Sequence, residues 1–493
     1  MKLILRNNLS FFILITILSG CTGKPGGNIS ETGTLPSIDP DYSGVTIPPN
    51  IAPINFKITE DGNAFFVRFS ADSKTIIETG SKNGIISVPE RKWKKFLEEN
   101  KGRDFNIEIY LKDKKSGWSK YNTITNMVAP EPIDPYITYR LLYPGYESWK
   151  EIFIKQRSLE SFHERSIIEN NLVEENCLNC HSYNNNGTSE NFLFHMRGSM
   201  GGTYFYSDGD FKKVNLKTKE MKNGAVYPRW HPSGKFVAFS SNKIVQQFHS
   251  ALNKKVEVSD LESSLVLYDI DRNEMMDVEL VDKELYMDTY PEWSPDGRYL
   301  YFCRAPAVGE IFMYDSVRYD LCRVPFDPAT RKTGKAELVF DASSLNKSVS
   351  FPRVSPDGRF LVLTLHDYGC FPIWHKEADL HIIDLQTLKP SGMELNSDFT
   401  DSYHSWSSNS RWLVFSSRRI DGLTTRFFIS YIDENGGSGK PFLMPQKNPE
   451  FYGRFIKSFN LPEFSTLKVK VNPGKIRKSA EGDALQAKWV EKN

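Results

Sequence analysis

The residues with the clearest capacity for chemistry lie in mid-chain, in Cys177-Leu178-Asn179-Cys180-His181. Two thiols at this spacing can form thioethers to the vinyl-derived edges of a haem, and the adjacent histidine is then carried beneath the ring to ligate iron. The same residues could instead hold zinc or close a small disulfide. A zinc site needs a second ligand pair, and the sequence has no other C-x-x-C and only His195 nearby. A thioredoxin-like redox pair needs a βαβ context that the surrounding residues do not supply. A Cys177–Cys180 disulfide stays open. The expectation is one covalent haem c, with thioethers at Cys177 and Cys180 and His181 as proximal iron ligand.

The sixth ligand would come from "NFLFHMRGSMGG", which follows. On a strand, Phe192, Phe194 and Met196 face one way and Leu193, His195 and Arg197 the other. His195 would give a low-potential iron and Met196 a higher one. His195 is the favoured candidate and Met196 the alternative. A second cluster, in "LHDYGCFPIWHKEADL", holds His366, Asp367, His375, Glu377 and Asp379. That density suits a metal, but polar contacts tying two strands together are the expected role. His404 is read as lining a central channel.

The N-terminus sets the compartment. Lys2 and Arg6 precede the apolar "LSFFILITIL", which is too short to span a bilayer. It ends in Leu18-Ser19-Gly20-Cys21, which resembles the lipobox of bacterial lipoproteins. That resemblance implies cleavage before Cys21 and lipidation of its thiol. The residue after Cys21 is not Asp, which favours the outer membrane of a Gram-negative envelope, facing periplasm or cell surface. The protein is then anchored rather than spanning. An exported chain is also where c-type haem is attached and where disulfides persist. Cys303 and Cys322 fall on neighbouring predicted strands and could pair, with buried free thiols the preferred reading.

The elements that must position these residues repeat. "YPRWHPSGKFVAFSS", "YPEWSPDGRYLYFCR", "FPRVSPDGRFLVLTL" and "YHSWSSNSRWLVFSS" each read as strand, tight turn and alternating strand, followed by a third strand ending in an Asp/Asn turn. Recurrence of strand units roughly every 50 to 60 residues marks a propeller. The repeat resembles the TolB-like, WD-related propeller, whose mark is aromatic-Pro-x-Trp-Ser-Pro-Asp-Gly and a strand. With Gly201–Thr218 as a further blade, and strands from Ile137 closing the ring against "KPFLMP", six blades are expected. The tryptophans are read as packing between blades.

The domain reading is therefore a signal peptide at 1–20, lipidated Cys21 and a flexible tether over 21–50, and a small Ig- or fibronectin-like β-sandwich over 51–135. A connecting segment over 136–190 carries closing strands and the haem motif, the propeller spans 191–464, and a charged tail follows over 465–493. The tether reading rests on its Gly, Pro, Ser and Thr content. The whole arrangement resembles a group of bacterial lipoproteins with one C-x-x-C-H ahead of a TolB-like propeller.

Net charge is +1 with 25% charged residues, which gives no field for nucleic acid. No G-x-S-x-G or Gly-rich phosphate loop is present. The functional expectation is single-electron transfer by a lipid-anchored haem propeller to an envelope redox partner. The alternative is a non-catalytic scaffold binding envelope proteins or glycans, with Trp118 and Tyr121 of the sandwich as glycan platform and the haem structural or absent. Enzymatic activity is disfavoured, with a peroxidase-like haem reaction the one form left open.

Overall fold

The computed structural model describes residues 23–490 apart from 114–116, 147–150, 174–175, 252–253 and 309–310. The apolar leader and Cys21 lie outside the described residues. Six sheets of four or more strands follow one another along residues 136–465. Their innermost strands are Ser458–Ser465, Cys177–Tyr183, Ala225–Trp230, Tyr286–Trp293, Ser348–Val354 and Asp401–Trp406, and each contacts the next around a closed ring. The chain is an all-β, six-bladed propeller, numbered here in that order as blades 1 to 6.

Blade 1 closes the ring from both ends of the chain. Its inner strand, Ser458–Ser465, pairs antiparallel with Tyr136–Leu142, which continues into Phe153–Ser158 and Glu164–Glu169. The expected closing partner, "KPFLMP", instead supplies Phe442–Leu443, the outermost strand of blade 6. Residues 136–190 are thus not a connector. They hold three strands of blade 1 and the inner strand of blade 2.

Tryptophans join blade to blade by one repeated bond. The indole N–H of Trp230 donates to the Ser182 carbonyl, that of Trp293 to Arg229, and that of Trp406 to Arg353, all at 3.0–3.1 Å. The turns behind them are equally repetitive. Gly297 has φ +71°, and a Cβ there would meet His231 Nε2 of the preceding blade at 2.3 Å, so only glycine fits.

Ahead of the ring stands a two-sheet domain of seven and three strands. Along Arg103–Asp113 the buried residues Phe105, Ile107, Ile109 and Leu111 alternate with exposed ones, as a sheet with one core face requires. A helix, Glu90–Glu99, buries Trp93, Phe96 and Leu97 at helical spacing. The stretch read as a tether is part of this domain. Ile29–Glu31 pairs with Gly117–Lys120, Thr46–Ile47 with Ile124–Val128, and Tyr42, Val45 and Ile47 are buried. Composition misled here because these short edge strands borrow their partners from residues 81 to 89 positions away. The domain shares one hydrophobic core with blades 1, 5 and 6, and the Tyr42 hydroxyl donates to the Leu443 carbonyl at 3.2 Å.

The tail is also ordered. Asn472 caps the helix Pro473–Glu481 by accepting from Gly474 N–H at 2.8 Å. Beyond it, Leu485–Gln486 and Lys488–Trp489 add parallel strands to the outer edges of blades 2 and 3. Covering edge strands in this way removes unpaired backbone groups from solvent. Among the described residues no helix is long and apolar enough to cross a membrane.

Candidate functional site

The Cys-x-x-Cys-His segment lies on a strand of the ring itself, not in a segment that connects to it. Cys177–Tyr183 is the inner strand of blade 2 and faces the channel. Each of the six inner strands carries one non-glycine residue at positive φ: Cys180 (44°), Tyr227 (53°), Tyr290 (50°), Phe351 (53°), Tyr403 (47°) and Leu461 (52°). In all six blades the pairing with the second strand slips at this point, three steps along the inner strand facing two on its neighbour. These are bulges, which re-aim a side chain by inserting one extra residue. Here they point one side chain per blade at the axis. The rings of Tyr227, Tyr290, Phe351 and Tyr403 follow one another at 4.4, 4.4 and 4.6 Å and plug the channel.

Cys180-His181-Ser182-Tyr183 therefore occupies the place of aromatic-Pro-x-Trp, and it matches Tyr403-His404-Ser405-Trp406 of blade 6 closely. His404 Nε2 donates to the Val362 carbonyl of blade 5 at 2.8 Å. Val362 pairs with Arg353, as Thr138 pairs with Glu463 in blade 1. His181 lies against the backbone of Thr138 and Leu461, the equivalent slot between blades 1 and 2. Neither of its ring nitrogens reaches a partner at normal hydrogen-bond geometry. Burial, with the Arg140 cation nearby, lowers its pKa to about 3, and burial does the same for His404. Both are neutral imidazoles.

The remaining predicted ligands are dispersed. The Cys177 thiol is half-buried, its pKa raised by that burial, and it accepts from Asn179 Nδ2 at 3.1 Å. Asn179 in turn accepts from the Arg140 guanidinium. His195 stands opposite Asn179 and shares a 3.2 Å hydrogen bond with Thr203 Oγ1, its pKa brought to about 4 by burial. Met196 stands opposite Leu178 and packs with it and Phe194 in the core, fully buried. Among the described residues no three His, Cys, Asp or Glu converge on a point where a metal could sit.

The donor types suit a c-type haem, but the space does not. The cavity against Cys180 and His181 gives water-sized molecules only about 40 Å³, room for a few waters at roughly 10–15 Å³ each. His181 is 6% exposed, so a porphyrin could reach it only if blades 1 and 2 parted.

Next to the plug runs a chain of buried charge that the motif reading missed. Arg229 binds Glu292 at 2.5 Å and Glu463 at 3.1 Å, and Glu292 also meets Arg353 at 3.4 Å. These are the x positions of Tyr-Pro-Arg-Trp, Tyr-Pro-Glu-Trp, Phe-Pro-Arg-Val and Leu-Pro-Glu-Phe. The alternation of sign was legible once Leu461–Phe464 is aligned as a repeat. Burial pushes the Glu463 carboxyl up to about 7 and brings Arg353 down to about 10.

The His366–Asp379 cluster ties elements together, as expected. His375 Nδ1 meets Glu377 at 3.0 Å and Nε2 meets Glu257 of blade 3 at 3.4 Å. Cys303 and Cys322 are free and belong to different core clusters on opposite faces of blade 4. Trp118 is buried, with Lys112 over its ring, and presents no platform to a glycan.

No family model matches the chain, and no curated protein matches it. Among solved structures it is similar to TolB from Acinetobacter baumannii, at 13% identity and TM-score 0.43 over 73% of this chain and 78% of that one. It is similar to a hypothetical selenium-binding protein from Sulfolobus tokodaii, at 10% and 0.42 over 69% and 96%, and to the Dos1 propeller, at 10% and 0.33 over 55% and 66%. Scores of this size carry no argument about function, and the propeller rests on the sheet topology above.

Proposed function

We propose that this chain is a non-enzymatic binding scaffold of the cell envelope, held on a lipid anchor at Cys21, with its propeller docking an envelope protein. One observation carries the reading: the Cys-x-x-Cys-His segment is taken up by the fold, Cys180 as a plug position and His181 in the inter-blade slot that His404 fills in blade 6. The anchor would enter through the sandwich, where Lys24 pairs with Glu78 at 2.5 Å, leaving the ring on its far side. On this face an open pocket of about 220 Å³ lies between Tyr183, Pro232, Pro295 and Pro356, with the buried Trp230, Trp293 and Arg229–Glu292 pair beneath it, a recess that would take a side chain of a protein partner.

A second reading, the haem carrier, keeps one specific observation in its favour. His181 has two ring nitrogens without a partner, beside two half-exposed thiols. Cys177, Cys180 and His181 would then hold the haem, which supplies one-electron redox chemistry when bound. His195 would have to leave Thr203, or Met196 the core, to complete the iron.

A haem stain on denatured protein matured with a c-haem assembly system separates the two. The scaffold reading expects no stain. Stain that disappears in Cys177→Ala overturns it in favour of the haem carrier. Labelling with a radioactive fatty acid that is lost in Cys21→Ala tests the anchor.

A further inference from the structure

The chain of charge in the channel leaves one of its cations short of a partner. Glu292 takes Arg229 through two nitrogens, at 2.5 and 3.1 Å, and Glu463 takes a third at 3.1 Å. The other Glu463 oxygen accepts from the Tyr183 backbone N–H at 3.0 Å. Both carboxylates are thus turned to Arg229. Arg353 reaches Glu292 through Nη1 alone, at 3.4 Å, and that nitrogen also donates to the Pro352 carbonyl at 2.7 Å. No acceptor among the described residues meets its Nε or Nη2, although its side chain is as enclosed as that of Arg229, 14% exposed in each.

The two cations respond in opposite directions. Burial lowers the pKa of both, but at Arg229 the Glu292 and Glu463 carboxylates outweigh it and the pKa ends above the ordinary value. At Arg353 burial and the neighbouring Arg229 cation prevail, bringing the pKa down to about 10. A guanidinium is a planar fork of donors that stays charged at neutral pH. Enclosing one with half its fork unfilled is costly, and in native structures such a group marks the place of a water or an ion. The space lies alongside. Arg353 lines the internal cavity of about 40 Å³, together with Cys180 and His404. That volume suits an occupant of roughly three heavy atoms.

We propose that this cavity, between the aromatic plug and the chain of charge, is a site for a small monovalent anion held on the Nε–Nη2 edge of Arg353. The anion does for Arg353 what Glu463 does for Arg229. Halide, nitrite and formate share the required charge and size. The site is internal to the ring, whatever docks at the mouth.

Thermal unfolding of the full-length protein, at pH 7.5 and fixed ionic strength, should compare sodium bromide, nitrite and formate with sodium gluconate, whose anion is too large for the cavity. A ligand of the folded state at ten- to a hundredfold its Kd raises Tm by about 3–5 °C in a chain of this size. Wild type should show that rise in at least one of the three salts, and bromide set against the two planar anions tells whether the fork demands an oxyanion. Arg353→Gln should lose the rise. Arg298→Gln, at an arginine 80% exposed on a turn, should keep it. Should Arg353→Gln not fold, Arg353→Met, which keeps the stem without the charge, should lose the rise likewise. Equal rises in wild type and a folded Arg353 variant mean a bulk salt effect, and no rise in wild type means that water alone fills the cavity. Either result overturns the site.

Discussion

Glu463 should make the propeller lose stability as pH rises through the neutral range. Its carboxyl is buried in the channel beside Arg229, and burial outweighs that cation, pushing the pKa from an ordinary 4.5 to about 7. The folded state therefore binds a proton that the unfolded chain releases between about pH 4.5 and 7. Stability rises with pH where the unfolded state binds more protons, so here it must fall. A pKa displaced this far corresponds to about 3 kcal/mol at most, lost across that window and constant above it. Glu463→Gln keeps the shape and the acceptor oxygen for Arg229 but cannot ionise. In thermal unfolding from pH 4.5 to 8, wild type should lose a few degrees of Tm relative to the variant, at about 2 °C per kcal/mol for a chain of this size. The variant should be the more stable protein at pH 8 if the proton alone matters. Parallel Tm curves for the two proteins would refute the argument, because they would mean that Glu463 ionises in the fold as freely as outside it.

Glu292→Gln should behave differently, since among the described residues Glu292 is the carboxylate that pairs with both Arg229 and Arg353. Its loss leaves two buried guanidinium groups sharing Glu463, and a cost of about 3–5 kcal/mol is expected in urea unfolding, with Glu292→Asp intermediate. Removal of residues 467–493 should lower Tm and promote aggregation, read by light scattering, because it strips the helix and added strands from the edges of blades 2 and 3. Gly297→Ala should destabilise by about 2 kcal/mol or more, from its positive φ and the collision with His231; a change below 0.5 kcal/mol would show that the turn can relax.

Much of the propeller could be read before any coordinates, and the reason is local. Pro295-Asp296-Gly297 and Pro356-Asp357-Gly358 state their turns outright, and the tryptophans mark the seams. The parts that were missed all depend on distant partners. Ile29–Glu31 and Thr46–Ile47 are too short to show a period, and they order only because Trp118 and Met127 lie opposite. The tail helix buries just Ile476 and Ala480, too few for a visible apolar stripe. At the site, the chemistry of each residue was legible and its place was not. The motif Cys-Leu-Asn-Cys-His attracts a reading by its own spacing, which hid the second register in which Cys-His-Ser-Tyr repeats Tyr-His-Ser-Trp.

That second register also explains why the cavity is where it is. Six bulges aim six side chains at the axis, and four of these are aromatic rings in contact with one another. The other two are Leu461 and Cys180, neighbours across the seam between blades 1 and 2. A thiol in the place of a phenol leaves a ring's worth of space unfilled, and the internal cavity lies against both residues. The same seam holds His181, its nitrogens facing carbonyls they do not quite reach. Blade 1 is the blade completed from the two ends of the chain, so its seam with blade 2 is closed last in sequence and carries the smallest plug residue. If the channel admits anything, a haem edge, a small ligand or a partner's side chain, the geometry favours entry beside Cys180 over any other seam of the ring.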